Sequence, residues 1–283
     1  PTSEPVVKEI REGDSIMNTQ ESRLNSDTPR ARHGYGECNE KAWNDSFLAE
    51  NPCEGKTLYD PDVFMLFVKP GEITEVRGFD GKRVYAGYFD EHQAFCKEVQ
   101  ALDKRLSSGI YFTLQVIDPR LIGRAHNRIR QADRTTTDKD VLFYRWLPID
   151  LDPVRPAGIS SSDSELQAAL DLLNPVTEWV MQEIGLPAPI KAMSGNGGHL
   201  LFRLPDWQVN DETKAIIKGI LEDISSKFST DRVHIDTTVF NPARIWKLYG
   251  TTARKGDEIP ANQYREARLH RMAYIDDLGG NHG

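Results

Sequence analysis

The stretch Val141-Leu-Phe-Tyr-Arg-Trp-Leu-Pro-Ile-Asp-Leu-Asp152 is rich in aromatic and branched residues and reads as one long strand, ended by Asp152-Pro153. Downstream, Ser162-x-x-Glu165 forms a capping box that opens a helix, with Leu166, Leu170, Leu173, Val176, Val180 and Ile184 along one face and Gly185 closing it. A loop with Pro187 and Pro189 leads to the run Ser194-Gly-Asn-Gly-Gly-His199 and a strand from Leu200 to Leu204. A second helix (Ile216, Ile217, Ile220, Leu221, Ile224) precedes a strand, Val233-His-Ile-Asp236, and a further strand from Ile245 to Tyr249. Strand, helix, strand, helix, strand in this order predicts a mixed α/β sheet domain.

Upstream, the apolar run Val63 to Val68 is followed by Ile73–Phe79 and Arg83–Phe89 around Asp80-Gly81, a dipeptide suited to a type I′ hairpin. Phe95, Val99 and Leu102 recur at helical spacing, and Gly109 introduces a strand from Ile110 to Ile117, so this segment reads β-β-β-α-β. Pro1 to Thr57 holds eleven acidic and seven basic residues with little hydrophobic period and is read as an N-terminal arm, loose over about its first thirty residues. A chain of 283 residues with 39% hydrophobic and 28% charged residues has the composition of a globular protein. Its longest apolar run is far short of the roughly 18 residues of a membrane span, and its start lacks the pattern of a signal peptide, so no membrane partner and a cytoplasmic location are expected. The three cysteines, Cys38, Cys53 and Cys96, form no C-x-x-C pair, which argues for reduced thiols and gives little support to a zinc site.

Three sets of residues carry chemistry. Asp150 and Asp152 stand at i and i+2 of an extended segment, so both project from one face, where a hard divalent cation such as Mg²⁺ or Mn²⁺ would relieve their repulsion. A strand running into a turn gives the same pattern without a metal. The glycines of Ser194–His199 let a backbone approach a ligand closely, as in a phosphate cradle, although the lysine and following helix of a P-loop are missing; a glycine-rich hairpin turn is the plainer alternative. From Arg244 to Arg271 seven basic residues face three acidic ones in a chain of net charge −8, a local sign reversal that suits phosphate contact or a solvated basic face. A further cluster, Arg120, Arg124, Arg128, Arg130 and Arg134, is dense enough to favour an anionic partner.

Taken together, Ile149-Asp-Leu-Asp-Pro-Val-Arg-Pro156, Ser194-Gly-Asn-Gly-Gly-His199, and Asp236 followed by Asn241-Pro-Ala-Arg-Ile-Trp-Lys-Leu-Tyr-Gly-Thr251 resemble the three ordered motifs of the archaeo-eukaryotic primase superfamily. They are most similar to bacterial and phage primase-polymerases, a group that includes CRISPR-associated members. The resemblance spans about Tyr59 to Met272 and takes in Gly109-Ile-Tyr-Phe-Thr-Leu114 and Thr251-Thr-Ala-Arg-Lys-Gly256. It implies an RRM-like antiparallel-sheet catalytic core (136–275) packed against a smaller N-terminal αβ unit (58–135). It further implies a template-directed nucleotidyltransferase that makes and extends primers on single-stranded DNA from nucleoside triphosphates.

By the same resemblance Asp150, Asp152 and Asp236 would be the catalytic ligands of two Mg²⁺ or Mn²⁺ ions. Ser194, Gly195, Asn196, Gly197, His199, Arg244, Lys247 and Lys255 would bind the nucleotide, and Arg120, Arg124, Arg128, Arg130 and Arg254 the template. His199, just after the glycines, is expected to be partly exposed. Arg244 and Lys247 are three apart and would face opposite sides of a regular strand, so both reach one triphosphate only if the Pro242 region kinks or bulges the strand, or if Lys247 extends around its edge. The end, Gly279-Gly-Asn-His-Gly283, looks like a linker, and a helicase or other domain of a longer protein is an expected partner. A metal-dependent glycosyltransferase accounts for Asp150 and Asp152 but neither for the glycine run nor for Asp236, and a non-catalytic replication-initiator domain would use the basic face alone.

Overall fold

The computed structural model describes residues 55–279. The expectations for the arm up to Glu54, for Cys38 and Cys53, and for the last four residues lie outside them.

The apolar run Val63–Val68 was expected as a strand but lies mostly in a helix, α1 (Pro61–Phe67). The Asp60 carboxylate accepts the Asp62 N–H and Pro61 occupies the first turn, so the chain enters a helix with its leading amides already satisfied. Strands β1 (Thr74–Asp80) and β2 (Arg83–Phe89) form the expected hairpin, in a register that pairs Asp80 with Arg83. The two-residue turn is therefore Gly81-Lys82, one residue later than Asp80-Gly81, and of these two only Gly81 has positive φ (+56°), which excludes type I′. Helix α2 (His92–Arg105) buries Phe95, Cys96, Val99 and Leu102.

The strand expected from Ile110 to Ile117 is divided between two sheets. Its first part, β3 (Ile110–Thr113), pairs with β1, while β4 (Val116–Ile117) pairs with β6 (Val141–Pro153). Gln115 makes the crossing: its buried amide accepts from the N–H groups of Arg145 (2.8 Å) and Trp146 (3.1 Å) and donates to the Trp146 carbonyl at 2.8 Å. Those bonds satisfy β6 where its register with β8 (Gly198–Gln208) shifts between Tyr144 and Trp146.

After β6 the capping box at Ser162 and Glu165 forms as expected and starts α3 (Asp163–Leu170). The single long helix breaks there, because Pro175 has no N–H to continue it; α4 (Leu173–Trp179) begins anew with the proline in its first turn. A π-turn over Val180–Ile184 ends at Gly185, whose φ is +84°. Then follow β7 (Ile190–Met193), β8, α5 (Asp211–Phe228) and β9 (Val233–Ile235). All these strands pair antiparallel in the order β7-β8-β6-β9, so β6-α3/α4-β7-β8-α5-β9 is a βαββαβ unit with its first and third strands central, the RRM-like topology. The short β13 (Tyr274–Asp277) adds to the β7 edge.

The chain then returns. Strand β10 (Ile245–Lys247) leaves the RRM-like sheet and pairs with β3, giving the N-terminal sheet the order β10-β3-β1-β2-β5, with β5 at Arg130–Gln131. Each sheet thus holds a strand from the other half of the sequence, and no boundary near residue 135 separates them. Beyond β10, β11 (Thr252–Ala253) pairs with β12 (Arg271–Met272).

Both faces of β6 are covered, which is why its burial runs nearly unbroken from Tyr144 onward. Trp146 packs on Phe67 (ring centroids 5.4 Å apart), which in turn meets Phe112 of β3 at 5.4 Å. Asp150 and Asp152 have the parity of Trp146 and so project toward the N-terminal sheet. Among the described residues no helix is long and apolar enough to cross a membrane.

Candidate active site between the two sheets

At the end of this inter-sheet seam lies a cavity of about 220 Å³, lined among others by Tyr111, Asp150, Asp152, Ser194, Asn196, His199, Arg244, Trp246, Lys247 and Lys255. One wall is β6 and β8, where Asp150 is directly opposite His199. The other is β3 and β10, where Tyr111 is opposite Lys247.

The two aspartates are electrostatically unlike. Burial raises the Asp150 carboxyl, but His199, whose Nε2 is 3.5 Å from Oδ1, together with Lys255 and Arg244 outweighs it and holds the group below the ordinary aspartate range. Asp152 is held above that range, by burial first and then by the charge of Asp150 beside it, against the pull of Lys255 and Arg155. The same two charges, after burial, raise the Tyr111 phenol across the cavity. The pair is therefore an all-oxygen donor set whose mutual repulsion a cation would relieve, and by that chemistry it fits a hard divalent ion.

Asp236 is adjacent in backbone, its N–H donating to the Asp150 carbonyl at 3.0 Å, but its carboxylate is committed elsewhere. Oδ1 caps the following turn through the Thr238 N–H (2.8 Å) and hydroxyl (2.7 Å), and Oδ2 accepts from Arg244 at 3.0 Å. Among the described residues no group of three or more His, Cys, Asp or Glu side chains is arranged to hold a metal ion. The Asp236 carboxylate already accepts from three donors.

The glycine run has a different basis from the one expected. A Cβ on Gly197 would lie 2.3 Å from the Leu151 carbonyl oxygen, one on Gly198 2.9 Å from Leu173, and one on Gly195, at φ +95°, 2.4 Å from Ala253. The glycines let the turn sit against β6, α4 and β11, so protein contacts already require them. Ser194 closes the turn by accepting the Gly197 N–H at 2.9 Å, and Asn196 accepts the Ser161 N–H at 2.8 Å, tying the turn to the start of α3. Ser194 and Asn196 still line the cavity.

His199, expected to be partly exposed, is 3% exposed: its Nδ1 is 2.9 Å from the Tyr249 hydroxyl and its ring is 4.2 Å from that of Trp246. It is both a packed residue and a cavity wall. Arg244 sits in the turn closed by its N–H to the Asn241 carbonyl, before β10 begins, which is how Arg244 and Lys247 both reach the cavity. Lys247, however, is buried, and its amine donates to Thr251 Oγ1 (2.7 Å), the Thr252 carbonyl (3.0 Å) and the Ile110 carbonyl (3.4 Å). Burial draws its pKa down to about 7, Arg254 adding to the effect and Asp103 opposing it. A phosphate would have to compete with three protein oxygens for it. Lys255 is exposed at the rim.

The residues expected to bind nucleic acid divide in two. Arg128 and Arg130 are exposed, whereas Arg120 forms a fork with Asp118, Arg124 reaches the Tyr88 hydroxyl and Asp140, and Arg254 is paired with Asp103 on α2. Tyr111, Trp246 and Tyr249 were not singled out from the sequence, although each lies within a quoted stretch. Trp246 and Tyr249 flank Lys247 within the motif itself, and Tyr111 becomes visible only once β3 and β10 are aligned, where it lies opposite Lys247.

Comparison of the chain with protein-family models, curated proteins and solved structures gave no match.

Proposed function

We propose that the protein is a primase-polymerase that joins nucleoside triphosphates on single-stranded DNA. The observation that carries this reading is the carboxylate pair Asp150–Asp152 facing Arg244 and Lys255 across one cavity: hard-cation donors and phosphate-binding cations within a single site. In the reaction the 3′-hydroxyl of the growing strand attacks the α-phosphorus, the P–O bond to the β-phosphate breaks, and pyrophosphate leaves. A divalent cation on Asp150 and Asp152 would make the hydroxyl more acidic and offset charge on the leaving group. Arg244 and Lys255 contact the triphosphate, His199 and Ser194 border it, and Asp236 orients the Arg244 guanidinium. Arg128 and Arg130 offer backbone contacts to the template.

The test is incubation with a single-stranded template, Mn²⁺ and labelled nucleotides without primer. Template-dependent products are expected from the wild type and none from Asp150→Asn. Absence of incorporation, with thermal protection by Mn²⁺ and a UDP-hexose instead of a nucleoside triphosphate, would overturn the reading in favour of a glycosyltransferase.

A further inference from the structure

We infer that Trp246 and Tyr249 are positioning residues that fix His199 in the tautomer bearing its proton on Nε2, so that the cavity meets an imidazole N–H donor and not a lone pair. The argument is a proton count. Trp246 Nε1 lies 2.9 Å from Tyr249 Oη, and an indole nitrogen can only donate, so the phenol oxygen is the acceptor there. Tyr249 Oη is also 2.9 Å from His199 Nδ1, and the tyrosine is 0% exposed, with no third hydrogen-bond partner for its hydroxyl among the described residues. The one phenolic proton therefore points at Nδ1, which must offer a lone pair. If Nδ1 carried the hydrogen, the phenol oxygen would accept twice and its own proton would be buried without an acceptor, an arrangement that native interiors avoid.

With Nδ1 an acceptor, the proton resides on Nε2, the nitrogen 3.5 Å from Asp150 Oδ1 at the cavity wall. The ring cannot flip to exchange the two nitrogens without losing the Tyr249 bond and its packing on Trp246, whose centroid is 4.2 Å away. The nearest acceptor of that proton is the Asp150 carboxylate, and, because His199 also lines the cavity, the fixed donor is within reach of an oxygen-rich anion bound there. That its acceptor is a triphosphate oxygen rests on the nucleotidyl-transfer reading; the tautomer does not.

The experiment is long-range ¹H–¹⁵N correlation on histidine-labelled protein at about pH 8.5, two units above the ordinary imidazole value, with His199 assigned from the His199→Asn spectrum. The wild type is expected to show the Nε2–H pattern for His199. Tyr249→Phe removes the donor to Nδ1, and Trp246→Phe frees the phenol oxygen to accept, so each is expected to give a mixture of tautomers. In primer synthesis Tyr249→Phe should raise the nucleotide KM roughly tenfold with kcat little changed, the loss of one oriented hydrogen bond to a charged group. A wild-type spectrum of the Nδ1–H form, or both variants leaving the pattern unaltered, overturns the inference. Should Tyr249→Phe not fold, the wild-type spectrum and Trp246→Phe still decide it. A wild type that incorporates no nucleotide would defeat the nucleotidyl-transfer reading and leave the tautomer measurement standing.

Discussion

The Asp152 side chain is 40% exposed, and its carboxyl is raised by burial first and then by the charge of Asp150, so ionising it works against the fold. Asp152→Asn should therefore leave Tm unchanged or raise it by about 2 °C, while lowering nucleotide incorporation at least a hundredfold; a thermal melt beside a primer-synthesis assay reads both. Asp236 separates two roles. If it orients Arg244, Asp236→Asn should raise the nucleotide KM roughly tenfold and spare kcat, whereas a collapse of kcat alone would return it to the metal ligands. Lys247 gives a pH signature. Its folded pKa of about 7 lies below the ordinary 10.5, so between those values the unfolded chain binds the extra proton and stability rises with pH. Urea unfolding should show that rise, at most about 1.4 kcal/mol per pH unit from this group, and Lys247→Met should flatten it. The sequence made the carboxylate pair legible because a period of two puts alternate residues on one face. It could not reveal that Arg254 is committed to Asp103, which lies more than a hundred residues away in sequence, nor that the turn after β10 folds Thr251 and Thr252 back onto the Lys247 amine.

At the scale of elements, the turn Ser194–His199 is a packing device. Gly197→Ala should destabilise the fold by roughly 2–4 kcal/mol, because a Cβ 2.3 Å from the Leu151 carbonyl cannot be relieved by moving a flexible side chain. Normal denaturant stability together with lost nucleotide affinity would instead point to a ligand cradle. Gln115→Leu should cost a similar 2–4 kcal/mol, since it leaves the buried amides of Arg145 and Trp146 and one carbonyl without partners at the β6 irregularity. Local chemistry predicted the capping box at Ser162, the hairpin and the closing Gly185, because each depends on residues within a few positions. The division of Ile110–Ile117 between two sheets was hidden, because β-branched content says that a segment is extended and not which neighbour it joins. Pro175 was a visible breaker overridden by the apolar stripe running through it.

Over the whole molecule, net charge −8 coexists with a basic rim, and only arginines not already engaged by carboxylates can release counterions. Replacing Arg128 and Arg130 by alanine should reduce the salt slope of single-stranded DNA binding by roughly 0.7 each, measured by fluorescence anisotropy, with Arg120→Ala doing less because Asp118 already neutralises it. Alternating strands and helices could be read along the chain, but β7 (Ile190–Met193) was hidden in a stretch that reads as a proline loop, and the antiparallel pairing and the traded strands are long-range facts. That trade has a consequence for synthesis on the ribosome. Translation delivers Tyr111, then both aspartates, then the turn with His199, while β3 waits with an unpaired edge for β10, which is made after the other strands of the two walls. A message cut short before Ile245 would release a polypeptide with most of its core and an open β3 edge, a species expected to aggregate and to lack the cavity wall that carries Trp246 and Lys247.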